Sequence, residues 1–84
     1  MTAPVKIAGK ILHAETCTAD DWFDAIDLDK KRAQDYKLIS ICIFDKDGHS
    51  VYSPKDVGKL SVTDYAKLYE ITVKVNRPDD VEKK

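Results

Sequence analysis

Apolar and polar side chains alternate near the start of the chain, between Val5 and Ala14. Val5 and Ile7 lie two residues apart, a spacing typical of a strand with one buried face. Gly9 follows at a position that favours a turn or bulge, so the segment predicts a short β-hairpin. The same residues, IAGKILHA, are also compatible with a turn of helix, and the pattern leaves that alternative open.

A helix start follows the predicted hairpin. Thr18 lies three residues before Asp21, which is close to the capping-box pattern, although aspartate reaches back to the cap less well than glutamate. Trp22 and Ile26 lie four residues apart, so they share one face of the helix that this cap opens. The apolar side chains expected on this first helix are Trp22, Phe23, Ile26 and Leu28.

The longest apolar pattern predicts the main helix, which extends from Asp29, a candidate cap, to Phe44. Its apolar stripe consists of Tyr36, Leu38, Ile39, Cys42 and Ile43. The last third, LISICIF, is apolar on nearly every side, so we expect it to be fully buried or partly in contact with another subunit. Because this run is rich in β-branched residues, a strand is an alternative for it.

Polar segments separate the predicted elements in the second half of the chain. The turn residues of Asp45–Gly48 end the apolar run, and a short extended piece follows them. The segment Ser53–Gly58 begins with serine, proline and a later acid, which predicts a short helix closed by its glycine. A third cap signal, Ser61–Asp64, opens a last helix through about Val75 that Asn76 ends.

Together these elements predict a mainly α fold: three to four short helices with a short N-terminal β element. The chain of 84 residues has room for one domain, which we assign to residues 1–76 as a single small helical domain. Residues 77–84, RPDDVEKK, contain one apolar side chain in eight, so we expect a flexible charged C-terminal tail there.

The charge balance excludes two classes of partner. With 14 basic and 15 acidic residues the net charge is -1, and the longest basic run, Lys30–Arg32, is flanked by aspartates. A nucleic-acid or anionic-membrane binder usually carries a basic stripe, so we expect neither partner. No segment approaches the ~18 apolar residues of a membrane helix. Lys6 and Lys10 interrupt any signal-peptide hydrophobic region, so we expect a cytoplasmic protein.

Two metal sites are conceivable from residue type alone. The run Asp45-Lys46-Asp47-Gly48 begins like a calcium loop, but such a loop needs glycine at its sixth position and glutamate at its twelfth. Here Gly48 is fourth and Asp56 is twelfth, so we expect a turn. A zinc site is the second possibility, but the closely spaced ligand pairs of zinc-binding motifs, such as C-x2-C, are absent from the sequence. Its possible ligands are His13, Cys17, Cys42 and His49.

No pattern in the chain predicts catalysis. His49 lies among polar neighbours in the predicted turn, and His13 lies near Cys17, but such sequence neighbours rarely converge on one substrate atom. The three glycines are isolated, so they form no phosphate-binding loop. We expect a non-enzymatic protein without catalytic residues, cofactor or metal, in which Cys17 and Cys42 are free thiols.

The aromatic residues are the strongest functional signal. The chain has one Trp, two Phe and four Tyr, and a chain this short buries only roughly 60–65% of its unfolded surface. Some rings should therefore lie on an exposed apolar face, which usually marks a protein interface. Tyrosine is favoured where the ring is half buried and the hydroxyl is exposed to solvent. The expected partner-contact residues are Trp22, Phe23, Tyr65 and Tyr69.

An ordered series of elements spans residues 38–76. An apolar run is followed by Asp-x-Asp-Gly, by an aromatic residue before a short helix start with an acid, by a Leu-Ser pair, and by a last helix that ends near Asn. This series resembles the C-terminal half of the tail assembly chaperones of tailed bacteriophages, and Thr18 and Trp22 at a helix start look similar too. The matching residues are Asp45, Asp47, Gly48, Tyr52, Asp56, Val57, Leu60, Leu68 and Asn76.

The resemblance implies a phage tail assembly chaperone: a non-enzymatic adaptor that binds the tape measure protein and the tail tube protein during tail morphogenesis. It also implies self-association, a location in the host cytoplasm and absence from the mature virion. A small helical domain with an apolar face can cover a long hydrophobic helix reversibly, in a helix-in-groove mode. Two alternatives remain: a minor structural subunit of a phage particle, such as a connector or tail protein, and a small regulatory binding protein.

Overall fold

Within residues 2–76, which the computed structural model describes, the chain folds as a small α+β domain of four helices and one three-stranded sheet. The elements in chain order are β1 (Thr2–Ile7), β2 (Lys10–Glu15), α1 (Ala19–Ile26), α2 (Lys31–Cys42), β3 (Ile43–Phe44), α3 (Pro54–Val57) and α4 (Val62–Asn76). The sheet is antiparallel in the order β1-β2-β3. The flexible charged tail expected at residues 77–84 lies outside the described residues.

The N-terminal segment forms the predicted β-hairpin, so the helical alternative for it is wrong. β1 and β2 pair antiparallel with Ile7 opposite Lys10, and Ala8 and Gly9 form the turn between them. Both turn residues have positive φ, 52° and 81°, which suits the twist of a two-residue hairpin. The alternation around Val5 and Ile7 thus belongs to a strand, and Ile7 lies in the core.

The expectation of a mainly α fold with only a short β element is wrong, because the apolar run after α2 continues as a strand. α2 ends at Cys42, and Ile43 already has extended backbone angles. Ile43 and Phe44 form β3 by pairing with Ala14 and His13 of β2. β-branched and aromatic side chains favour a strand, and the pairing satisfies backbone groups at the edge of β2. The strand alternative for this run is therefore correct for its last two residues.

Three of the predicted helix starts are confirmed by side-chain caps. The hydroxyls of Thr18, Ser53 and Ser61 each accept a hydrogen bond, at 3.2 Å, from the backbone N–H three residues later. Ser53 forms a full capping box, because the Asp56 carboxylate also accepts from the Ser53 backbone N–H. These caps fix where α1, α3 and α4 begin.

The predicted cap of α2 is wrong. Lys30 occupies the N-cap position instead of Asp29, and its side chain caps no backbone group. The start of α2 is held by Gln34, whose side-chain amide donates to the carbonyls of Ile26 and Leu28 at 3.1 and 2.8 Å. These bonds satisfy carbonyls at the end of α1 and fix the turn between α1 and α2.

The core lies between the sheet and the helices α2, α3 and α4. The end of α2 is buried through Leu38, Ile39 and Cys42, as expected for most of the LISICIF run. In contrast, α1 packs against α2 and adds only Ala25 to the buried residues. The core cluster consists of Ile7, Leu12, Ala14, Ile39, Ile43, Val57, Leu68 and Val75. α1 therefore lies at the periphery, and its larger apolar side chains stay outside this cluster.

One buried hydroxyl in the core predicts a stabilising substitution. Within residues 2–76, Thr72 Oγ1 is buried without a hydrogen-bond partner. Because valine has nearly the same shape and no hydroxyl to desolvate, Thr72→Val should raise the free energy of unfolding by about 1–2 kcal/mol. Thr63→Val, at an exposed position of the same helix, should change it by less than about 0.5 kcal/mol. Denaturant unfolding measures both effects, and a less stable Thr72→Val protein would contradict the prediction.

Candidate functional site

An open cavity of about 440 Å³ lies where the loop after β2, the first turns of α1 and the end of α4 meet. Trp22 and Phe23 contribute aromatic walls from α1, and Asn76 is the last residue of α4. The remaining lining residues are Thr16, Cys17, Thr18 and Ala19. Two of the four predicted partner-contact residues therefore border one cavity, which makes it the candidate site.

The Asn76 side chain holds the elements around the cavity together. Its Oδ1 accepts hydrogen bonds from the Cys17 backbone N–H at 3.0 Å and from Cys17 Sγ at 3.5 Å. Its Nδ2 donates to the Thr72 carbonyl at 2.9 Å and to Cys42 Sγ at 3.5 Å. The end of α4 is thereby tied to the loop before α1 and to the end of α2. Asn76 is the last residue of α4 within the described part of the chain, and the structure gives it this linking role.

The polar groups around the cavity are directed to other residues of the domain. The Thr16 hydroxyl donates to the Val75 carbonyl at 2.6 Å, the Thr18 hydroxyl caps α1, and the Asn76 amide forms the bonds described above. What the cavity offers to an incoming group is mainly the aromatic faces of Trp22 and Phe23. It therefore suits an apolar side chain better than a charged ligand.

The two free thiols near Asn76 are poor nucleophiles. Burial raises the pKa of Cys42 to about 12, and burial also raises the pKa of Cys17. Because the thiolate is the reactive form, neither cysteine is activated near neutral pH. His13, the candidate base for Cys17, bonds Glu15 at 2.6 Å instead. The geometry therefore does not form the thiol–imidazole pair that the sequence made conceivable.

The polar turn after β3 brings three potential metal ligands together. Asp45, Asp47 and His49 place their ligand atoms within 4.8 Å of one another. Asp45 Oδ1 accepts from the backbone N–H groups of His49 and Asp47, each at 2.9 Å, and these bonds lower the pKa of Asp45. Gly48 adopts positive φ in the same turn. The cluster is thus accounted for by turn hydrogen bonds, and the prediction of a turn is confirmed.

The four candidate zinc ligands do not share one centre in the described part of the chain. Cys17 and Cys42 both contact the Asn76 side chain. His13 lies on β2, and His49 lies in the turn after β3 beside its acidic neighbours. The two thiols and the two imidazoles therefore occupy separate environments.

Tyr65 and Tyr69 form a second aromatic cluster, between α2 and α4. Their rings stack with centroids 6.1 Å apart, and the Tyr65 ring meets the Tyr36 ring edge-on at 5.9 Å. The Tyr65 hydroxyl donates to Asp35 at 3.4 Å, and Lys31 Nζ lies 5.4 Å from the centre of the Tyr69 ring. Burial, with a smaller effect of the nearby Asp35 charge, raises the pKa of Tyr65. Both rings are half buried, so they help to join the two helices.

The four predicted contact residues thus form two pairs instead of one face. Trp22 and Phe23 border the cavity, whereas Tyr65 and Tyr69 lie between α2 and α4. No ring contact joins the two pairs within residues 2–76. The structure brings the members of each pair together, and the role of either pair in partner binding stays a prediction.

Two further apolar residues extend the surface next to the cavity. Phe23 is 58% exposed, and Ile26 and Leu28 are exposed as well. Phe23 and Ile26 lie three residues apart and share one face of α1, and Leu28 follows in the next turn. Ile26 and Leu28 are not among the predicted contact residues, although their spacing from Phe23 is a signal that the sequence contains.

Comparison with known proteins adds no family to this description. No protein-family model, curated protein or solved structure matches the chain. Among the helices of residues 2–76, none is both long enough and apolar enough to cross a membrane.

The raised pKa of Cys42 predicts a loss of stability in alkali. An ordinary cysteine loses its proton near pH 9.0, whereas folded Cys42 holds its proton to about pH 12. Because the folded state binds the proton more tightly, this contribution to stability is complete below pH 9 and is lost as the pH rises toward 12. Melting temperatures between about pH 8 and about pH 10.5 should fall more steeply for the wild type than for Cys42→Ala. Parallel curves for the two proteins would show that Cys42 does not carry the effect.

Proposed function

We propose that this domain is a non-enzymatic adaptor that covers an apolar segment of a partner, and specifically a phage tail assembly chaperone that binds the tape measure and tail tube proteins. The observation that carries the proposal is the run of exposed apolar side chains on α1 beside the cavity. The Phe23 side chain is 58% exposed and lies outside the core cluster. An exposed aromatic ring next to an apolar cavity is typical of an interface anchor.

The expected interaction is of modest strength. Fully burying a large apolar side chain contributes about 1.5–3 kcal/mol, and Phe23, Ile26 and Leu28 are already partly buried. Part of that gain is lost to the ordering of the two partners. Covering these side chains and filling the cavity is therefore compatible with reversible binding in the roughly micromolar range. Reversible binding is what a chaperone needs if it leaves the finished particle.

The resemblance to tail assembly chaperones supports the identity of the proposed partners. Its matching residues are mostly residues of the scaffold: the Asp45–Gly48 turn, Leu68 in the core and Asn76 at the end of α4. The resemblance therefore concerns the scaffold that positions α1. The contact surface is inferred from the exposed apolar side chains of α1. The exposed apolar surface of α1 is of the kind that a helix-binding chaperone requires.

Co-expression tests the proposal directly. The wild-type chain should keep a co-expressed tape measure protein in the soluble fraction and should co-purify with it. Phe23→Ser should weaken this complex about tenfold, because it removes the most exposed ring at the site. The matched control is Ile11→Ser, which removes a 72% exposed apolar side chain from β2 and should leave co-purification unchanged.

Two outcomes would count against this function. A tape measure protein that stays equally insoluble with and without the wild-type chain contradicts a chaperone role. Detection of the chain in purified virions by mass spectrometry favours the alternative, a minor structural subunit of the particle, because a chaperone leaves before the particle is finished.

The tyrosine pair is tested separately from the cavity. Tyr65→Ser/Tyr69→Ser should weaken partner binding, because it removes two half-buried rings. It should also lower the free energy of unfolding by about 1–2 kcal/mol, because the ring contact with Tyr36 is lost. Circular dichroism should still show the helix content of the wild type. A double variant that is unfolded at 25 °C would assign both rings to the core.

A further inference from the structure

α1 and the turn after it carry a concentrated acidic charge. Between Ala19 and Asp29 there are five aspartates and no basic residue. All five are exposed, and none forms an ion pair within residues 2–76. Because the whole chain has a net charge of -1, the remainder of the chain is net positive. The five residues are Asp20, Asp21, Asp24, Asp27 and Asp29.

Helix stability does not explain this acidity. Asp20 and Asp21 lie in the first turn of α1, where the helix dipole favours negative charge. Asp24 lies in the last turn and Asp27 at the C-cap, where the dipole disfavours negative charge, and no basic residue is present in that turn. The negative charge at the end of α1 is therefore not matched by its own helix, and it remains available to a partner surface.

The acidic side chains border the exposed apolar surface. Helical geometry places Asp20, Asp24 and Asp27 together on one side of α1, next to the apolar face that Phe23 and Ile26 form. The cavity adjoins the first half of α1, so the apolar surface continues from the cavity to the turn before α2. A complementary surface must therefore present apolar side chains and, along one border, positive charge.

We propose that α1 and the adjoining cavity bind an amphipathic helix of a partner that carries lysine or arginine along one border of its apolar face. This inference rests on the proposed function, and it adds the charge and the secondary structure of the partner segment. A helix is the fitting form because the side-chain ridge that contains Phe23 and Ile26 packs into the groove of a second helix. One large apolar side chain of that helix fills the cavity against Trp22, and its basic residues face Asp24 and Asp27.

Charge in this interface selects the partner, whereas apolar contact supplies most of the affinity. Exposed ion pairs are individually weak and are screened by salt. The basic run Lys30–Arg32 follows the acidic stretch directly, so a partner helix with one basic border must lie along α1 and end before that run. An acidic amphipathic helix is rejected on the same surface by repulsion.

Three synthetic helical peptides of equal length test the inference on the full chain. The first places leucine at every third or fourth position to form one helix face and lysine along a border of that face, the second replaces lysine by glutamate, and the third replaces leucine by alanine, which also favours a helix. Trp22 is the single tryptophan and lines the cavity, so its fluorescence reports occupation of the site. The leucine–lysine peptide should shift this emission and bind at least about tenfold more tightly than either control peptide, and its affinity should fall as salt is added.

Two matched variants separate charge from apolar contact. Asp24→Asn/Asp27→Asn should weaken binding of the leucine–lysine peptide about five- to tenfold. Asp47→Asn/Glu70→Gln changes the net charge by the same amount at exposed positions elsewhere, and it should change binding less than about twofold. Circular dichroism of each variant shows whether the fold is retained.

Equal binding of the leucine–lysine and leucine–glutamate peptides would overturn the inference about charge and leave the proposed apolar adaptor function intact. Equal binding of the leucine–lysine and alanine–lysine peptides would overturn it too, because the contact would then be general electrostatic attraction. Failure of all three peptides would overturn the inference of a helical partner, whereas the proposed function depends on the separate co-expression result.

Discussion

Coverage of the sheet by helices is the constraint on which the rest of the structure depends. β1 alternates between inward and exposed residues, so one face of the sheet must be covered. α4 packs against β1 and β2 with Leu68 and Val75 in the core, and α2 adds Ile39 to the same core cluster. Because α1 packs against α2 and adds only Ala25 to the buried residues, its larger apolar side chains remain at the surface.

This exposed surface is held in a fixed position. Asn76 links the end of α4 to the loop before α1, Thr18 caps the start of α1, and Gln34 bonds the carbonyls at its end. A surface that is already ordered loses less conformational entropy on binding than a mobile one. The hydrogen bonds around α1 therefore present Phe23 and the cavity in one arrangement, as the proposed adaptor function requires.

Much of the fold is predictable because it depends on signals within a few residues. The hydroxyl caps at Thr18, Ser53 and Ser61 and the turn at Gly48 are examples. β3 is not predictable in this way, because the run that ends at Phe44 fits a helix and a strand equally, and pairing with the distant β2 decides between them. The grouping of the aromatic residues into two pairs likewise depends on helix packing, which spacing along one helix does not reveal.

The central claim is that a partner covers α1, and backbone hydrogen–deuterium exchange with and without the co-purified partner tests it most directly. The account predicts slower exchange concentrated in residues 19–28, with the β-hairpin unchanged, because the partner helix lies along α1. Exchange in α1 that is as fast in the complex as in the free domain, or slowing confined to the hairpin, would contradict the account.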